Sequence, residues 1–160
     1  MSAPNNWEIE RKFVVAVLPE HLLASRNARR IRQGYLICQP AREIRIRDNA
    51  GQYFMTVKQG AGLKRQELEI GIDKLQFDVL WPLTEGCRVE KERYQLSLSG
   101  VTMEIDVFAG GLAPLVLAEV EFDSEAASSA FIVPEFCTRE VTYDADYKNA
   151  CLAQNGLPLV

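Results

Sequence analysis

Charged residues stand two apart, repeatedly, along the strand-like stretches of this chain. Glu8, Glu10 and Lys12 form one such set, Arg45 and Arg47 a second, and Arg65, Glu67 and Glu69 a third. Lys91 and Arg93, Glu104 and Asp106, and Glu119 and Glu121 repeat the pattern, and Lys58 ends a strand whose other face shows Tyr53, Met55 and Val57. Side chains two apart on a strand share a face, so each set projects to one side. Several Lys and Arg converging on one place call for a dense anion; Arg suits bidentate phosphate contacts and Lys supplies a mobile point charge. Carboxylates in the same cavity repel that anion unless they hold divalent cations, for which Asp and Glu oxygens are suitable ligands. Basic residues with paired acids therefore point to metal-dependent polyphosphate chemistry. A lattice of internal ion pairs without a ligand is the structural alternative, and both stay open on spacing alone.

The elements that must position these residues are mostly strands. Period-2 alternation predicts strands at Trp7–Val15, Arg30–Cys38, Glu43–Asp48, Gln52–Lys58, Arg65–Gly71, Glu85–Tyr94, Gln95–Ser99, Thr102–Phe108 and Leu117–Phe122. Asn49-Ala50-Gly51 and Ser99-Gly100 read as hairpin turns. Short helices are expected at Pro19–Ala24, at Asp73–Leu80 with Asp73 as N-cap, at Ser124–Phe131, and at Ala145–Gln154 ending before Asn155-Gly156. The faces opposite the charges are rich in Ile, Val, Leu, Phe and Met and must be covered. A curved or closed sheet with helices outside would cover them and leave the charges lining an interior. Such a lumen is wet or occupied, because burying so many uncompensated charges is prohibitive.

Composition narrows the classes. The 160 residues are 48% hydrophobic and 25% charged, which suits one globular domain and excludes a disordered chain. The net charge of −4 argues against general nucleic-acid binding. No apolar run is long enough to cross a bilayer, and Met1 to Asn6 resembles no signal peptide, so a cytoplasmic location without membrane contact is expected. Cys38, Cys87, Cys137 and Cys151 form no CxxC pair, and His21 is the sole histidine. Histidine-based triads and multi-His metal sites therefore lack their parts.

Glu8-Ile9-Glu10-Arg11-Lys12 resembles the ExExK motif of the CYTH superfamily, also called triphosphate tunnel metalloenzymes. The likeness continues through Gln33-Gly34-Tyr35-Leu36, Arg45-Ile46-Arg47, Thr56-Val57-Lys58, Arg65-Gln66-Glu67-Leu68-Glu69 and Lys91-Glu92-Arg93. It ends with Glu104 to Phe108, Ala118 to Phe122, Val141 to Asp144 and Tyr147-Lys148-Asn149. The motifs stand in the family's order and resemble its compact bacterial branch.

The resemblance implies a mainly β (α+β) fold: an eight-stranded antiparallel closed barrel, with helices outside, in one domain over 1–160 with a flexible 1–6. It implies a triphosphatase that hydrolyses inorganic triphosphate with Mg²⁺ or Mn²⁺. Lys12, Arg45, Arg47, Lys58, Arg65, Lys91 and Arg93 would bind substrate. Glu8, Glu10, Asp106, Glu119 and Glu121 would serve the metal, with Glu67 and Glu69 nearby. Glu8, Glu10, Lys12 and Tyr35 are the catalytic candidates. Arg139 and Lys148 are read either as part of the basic wall or as surface charges. The competing readings are adenylate cyclase, hydrolysis of an organic triphosphate such as thiamine triphosphate or ATP, and a polyphosphate-binding module without turnover. A homodimer is left open.

Overall fold

The computed structural model describes residues 9–24, 27–60 and 66–159. Nine strands form a single sheet: β1 (Ile9–Val15), β2 (Arg29–Gln39), β3 (Arg42–Asn49), β4 (Gln52–Gln59), β5 (Gln66–Ile72), β6 (Arg88–Leu98), β7 (Val101–Phe108), β8 (Val116–Phe122) and β9 (Cys137–Glu140). Their order is β5-β4-β3-β2-β6-β7-β8-β1-β9, and every pairing is antiparallel. The helices are α1 (Glu20–Leu23), α2 (Lys74–Leu80), α3 (Glu125–Ala130) and α4 (Asn149–Asn155). None is long and apolar enough to cross a membrane.

The mainly β, antiparallel architecture with a few helices agrees with the alternation, but three expectations change. The sheet has nine strands rather than eight, and among the described residues no pairing joins β5 to β9, so it is not closed into a barrel. Glu85–Tyr94 and Gln95–Ser99, read as two strands, are the single strand β6, which pairs without a break from Lys91 to Leu98 along β7. The expected helix Ala145–Gln154 is interrupted at Lys148, whose extended backbone (φ −71°, ψ 139°) separates a 3₁₀ turn at Ala145–Tyr147 from α4.

Register explains how the charges come to share a face. Directly paired residues in antiparallel strands point the same way. Glu69, Thr56, Arg45 and Tyr35 lie in one cross-strand row over β5, β4, β3 and β2. Phe54, Arg47, Gln33 and Val89 form the next, running on to β6. Across β6, β7, β8 and β1 run Gln95, Glu104, Glu119 and Lys12, with Glu121 facing Glu10 beside them.

The opposite face is apolar and covered in two places. Phe13, Met103, Ile105, Ala118 and Val120 are fully buried beneath Phe131, Val133 and Phe136, which follow α3. At the other side α2 is fixed by a capping box at Asp73 and drives Phe77 onto Tyr53 and Trp81. The 3₁₀ turn at Trp81–Thr84 then lies against β2 at Gly34. A Cβ on Gly34 would stand 2.6 Å from Thr84 Cβ and 2.8 Å from its Cγ2. Gly34→Ala should therefore destabilise the protein by about 1–3 kcal/mol. A urea midpoint unchanged from wild type would show that the turn moves away freely.

One end of the charged face is itself capped. Tyr35, Val89, Phe108 and Leu117 project from that face and pack with Val141, Tyr147, Leu152 and Ala153 at the C-terminal end of the chain.

Candidate active site: a face of opposed ions

The charged face divides into two banks. On β6, β7, β8 and β1 the cations already have partners. Lys91 is buried, and its Nζ lies 2.5 Å from Asp106 Oδ2 and 3.4 Å from Asn149 Oδ1 at the start of α4. Arg93 donates from Nε to Asp106 Oδ1 at 2.7 Å, from Nη2 to Asp106 Oδ2 at 2.8 Å, and from Nη1 to Glu104 Oε2 at 2.5 Å. Lys12 Nζ lies 2.9 Å from Glu119 Oε1, and Arg93 Nη2 is 3.6 Å from Glu119 Oε2. Burial pushes the Asp106 carboxyl up, but Lys91 and Arg93 outweigh it and hold the group below the ordinary carboxylate range. Burial pulls the Lys91 ammonium below its ordinary range, and Asp106 opposes this only in part. Arg93 on the same carboxylate gives Asp106 a second cationic partner.

On β3 and β4 the balance differs. Arg47 Nη2 reaches Glu69 Oε2 only at 3.4 Å, and that carboxylate also takes a 2.9 Å hydrogen bond from Thr56 Oγ1. Lys58 Nζ is 3.4 Å from Glu67. Arg45 has no ion pair among the described residues. The Nε atoms of both Arg45 and Arg47 are buried without a hydrogen-bond acceptor. Burial lowers the pKa of Arg47, and Arg45 two residues away lowers it further. Buried donors without partners are costly, and two repelling guanidiniums add to the cost. An anion between the banks would relieve both.

The acids gather at the other end of the face. Glu104 faces Glu119, and Glu10 faces Glu121, directly across strand pairs. Thr102, Glu104, Glu119 and Glu121 line one pocket of about 110 Å³. Like charges directly opposite destabilise a sheet; Lys12, Arg93 and Arg29 offset this at Glu119 and Glu104, and carboxylate oxygens gathered in this way suit a divalent cation. Among the described residues no three acidic, His or Cys side chains converge closely enough to cage an ion alone.

The sequence candidates are thus distributed as follows. Glu10, Lys12, Tyr35, Arg45, Arg47, Lys58, Lys91, Arg93, Asp106, Glu119 and Glu121 share the charged face. Glu8 and Arg65 lie outside the described residues. Asp106, expected among the metal-serving acids, has both oxygens engaged by Lys91 and Arg93. Arg139 joins the face at β9, where its Nη2 donates to the Tyr147 hydroxyl at 2.5 Å. Lys148 is exposed. Gln33, Thr56 and Asn149 stand within the motifs quoted from the sequence but received no role there, because they are uncharged and a search for ions does not single them out. For the two strand residues the signal is period: Gln33 is two from Tyr35, and Thr56 two from Lys58.

Comparison with known proteins adds a family. A model of the CYTH domain matches residues 6–132. A relative named inorganic triphosphatase, from Nitrosomonas europaea, is 53% identical over 148 residues, covering 91% of this chain and 96% of its own. Another of that name, from Acetivibrio thermocellus, is 35% identical over 150 residues, covering 92% and 94%. The crystal structure of the inorganic triphosphatase NE1496 matches with a TM-score of 0.76 at 47% identity, covering 99% of both chains.

Proposed function

The chain belongs to the CYTH domain family, and from that premise we propose that it hydrolyses inorganic triphosphate to pyrophosphate and phosphate with a divalent metal. The observation that carries the reading is the pair of buried, acceptor-less guanidinium nitrogens on Arg45 and Arg47, on the same face of the sheet as Glu104, Glu119 and Glu121. The names of the relatives support the substrate.

On this proposal Arg45, Arg47 and Lys58 take the phosphate chain from one bank, and Lys12, Lys91 and Arg93 from the other. Arg65 is kept as a substrate-binding candidate from the sequence alone. Both banks spread the charge that the phosphates carry and hold the chain for in-line attack by water on a terminal phosphorus. Glu10, Glu119 and Glu121, with Glu8, would hold the metal. A divalent ion held there would supply charge neutralisation at phosphate oxygens and a more acidic bound water. Mg²⁺ and Mn²⁺ both suit these hard oxygens. Asp106 keeps Lys91 and Arg93 charged and fixed, and this proposal places it behind the cations rather than on the metal. No histidine or serine nucleophile is required, because positioning and charge supply the catalysis. The sequence readings of one domain over 1–160 and of a cytoplasmic location go with this proposal.

The test is phosphate release from tripolyphosphate with Mg²⁺ or Mn²⁺, beside parallel assays with ATP and thiamine triphosphate. Absence of turnover with either metal from neutral to alkaline pH would reject the reading, and cyclic AMP from ATP would redirect it. Arg45→Ala should raise the KM for tripolyphosphate by about tenfold or more, with kcat less affected. An unchanged KM would remove Arg45 from the site.

A further inference from the structure

Gln33 is an uncharged residue on a face given over to ions. Its side chain is buried, and its Nε2 donates to the Tyr35 hydroxyl at 2.6 Å. Across the strands Gln33 faces Arg47, and Tyr35 faces Arg45. A phenol that accepts one hydrogen bond still has its own O–H to donate. Among the described residues that O–H has no acceptor, although Tyr35 is only 4% exposed. Arg45 Nε is in the same condition on the adjoining strand. Two unsatisfied donors side by side in a buried corner mark a place for the oxygen of an anion.

We propose that Gln33 is a positioning residue: by donating to Tyr35 it holds that phenol as a proton-bearing donor, aimed with Arg45 Nε at a triphosphate oxygen. The proposal rests on the triphosphatase reading above. It assigns Tyr35 a binding role in which the phenol keeps its proton throughout, so the proton of the attacking water passes to a phosphate oxygen or to solvent and not to Tyr35. The surroundings agree. Burial pushes the Tyr35 phenol well above its ordinary pKa, with Arg45 and Gln33 opposing only in part. A phenol so placed is neutral at physiological pH, hence a donor and not a base. Gln33 suits the task because it carries no charge of its own to compete with the guanidinium of Arg47 for the substrate.

The experiment is a double-mutant cycle on the full chain with tripolyphosphate. Tyr35→Phe and Gln33→Met should each raise KM by about tenfold, the worth of one buried hydrogen bond, with a smaller change in kcat. The double variant should be no worse than Tyr35→Phe alone, because Gln33 acts through the hydroxyl that Tyr35→Phe removes. Additive losses would overturn the proposal. Gln33→Glu keeps the size but turns the hydrogen bond round, so it should lose affinity as well; wild-type KM in that variant would overturn the donor assignment. A second readout does not depend on turnover. The Cζ NMR resonance of isotope-labelled Tyr35, assigned by its loss in Tyr35→Phe, should remain that of a neutral phenol into the alkaline range and shift in Gln33→Met. A phenolate signal near neutral pH, or no response to Gln33→Met, would overturn the proposal. If wild-type protein fails to cleave tripolyphosphate, the functional reading falls, while this resonance still reports whether Gln33 and Tyr35 are paired as described.

Discussion

Asp106→Asn should cost about 3–5 kcal/mol of folding stability, the scale for removing one partner of a buried ion pair. The carboxylate is 1% exposed and receives hydrogen bonds from both Lys91 and Arg93. An amide keeps the shape but not the charge, and leaves a buried ammonium with a weakened counterpart. Chemical denaturation of the two proteins at neutral pH checks this, and a difference under about 1 kcal/mol would show that the cluster is not ionised. The pH dependence has a definite sign. Because the folded carboxyl is held below its unfolded value, its contribution is full above the ordinary carboxyl range. It is lost as pH falls from that range through the depressed folded value. Wild type and variant should therefore converge in stability under strong acid.

The second large effect concerns the metal. On the proposed roles, Glu119→Gln should lower turnover of tripolyphosphate by about 100-fold at limiting Mg²⁺, given what smaller perturbations around bound metals already cost. Glu119 lies between Lys12 and Arg93 and faces Glu104 across the β7–β8 ladder. Raising Mg²⁺ should restore part of the rate in Glu119→Gln and none of it in Arg45→Ala. The first variant loses a cation ligand and the second a phosphate contact. Titrating activity against metal in both proteins separates these. Equal insensitivity to metal would show that Glu119 serves only to pair with Lys12.

Alternation made much of this arrangement readable before any coordinates. Arg45 and Arg47 against Ile44 and Ile46, or Glu119 and Glu121 against Val120 and Phe122, fix which side of a strand each residue takes. The side is a property of neighbours in sequence. Depth and distance are not. Nothing in the spacing of Glu104 and Asp106 tells that the second is sealed under Lys91 and Arg93 while the first stays by a pocket. Nor does spacing decide whether a curved sheet closes, since closure depends on the edges β5 and β9 meeting. β9 itself went unread: at four residues, pairing with β1 through an irregular register, it is too short to show a period. The division of β6 at Tyr94 had a similar origin, because the strand is long and no turn residue marks either reading. The break at Lys148 in the last helix is a backbone choice that composition does not announce. Gly34 was visible as part of a motif, yet its reason, the approach of Thr84, needed the fold.

The strand β5 pairs only with β4 among the described residues, and Gln66 to Gly71 are exposed, with Leu68 and Ile70 on the outer side. Such a rim is a template on which a second chain can stack and begin an aggregate. Glu67 and Glu69, alternating with those two apolar residues, act as gatekeepers there. On the proposed roles, the acids that pair with Arg47 and Lys58 also guard this edge, and a chain that traded them away for tighter substrate grip would loosen its protection against self-association.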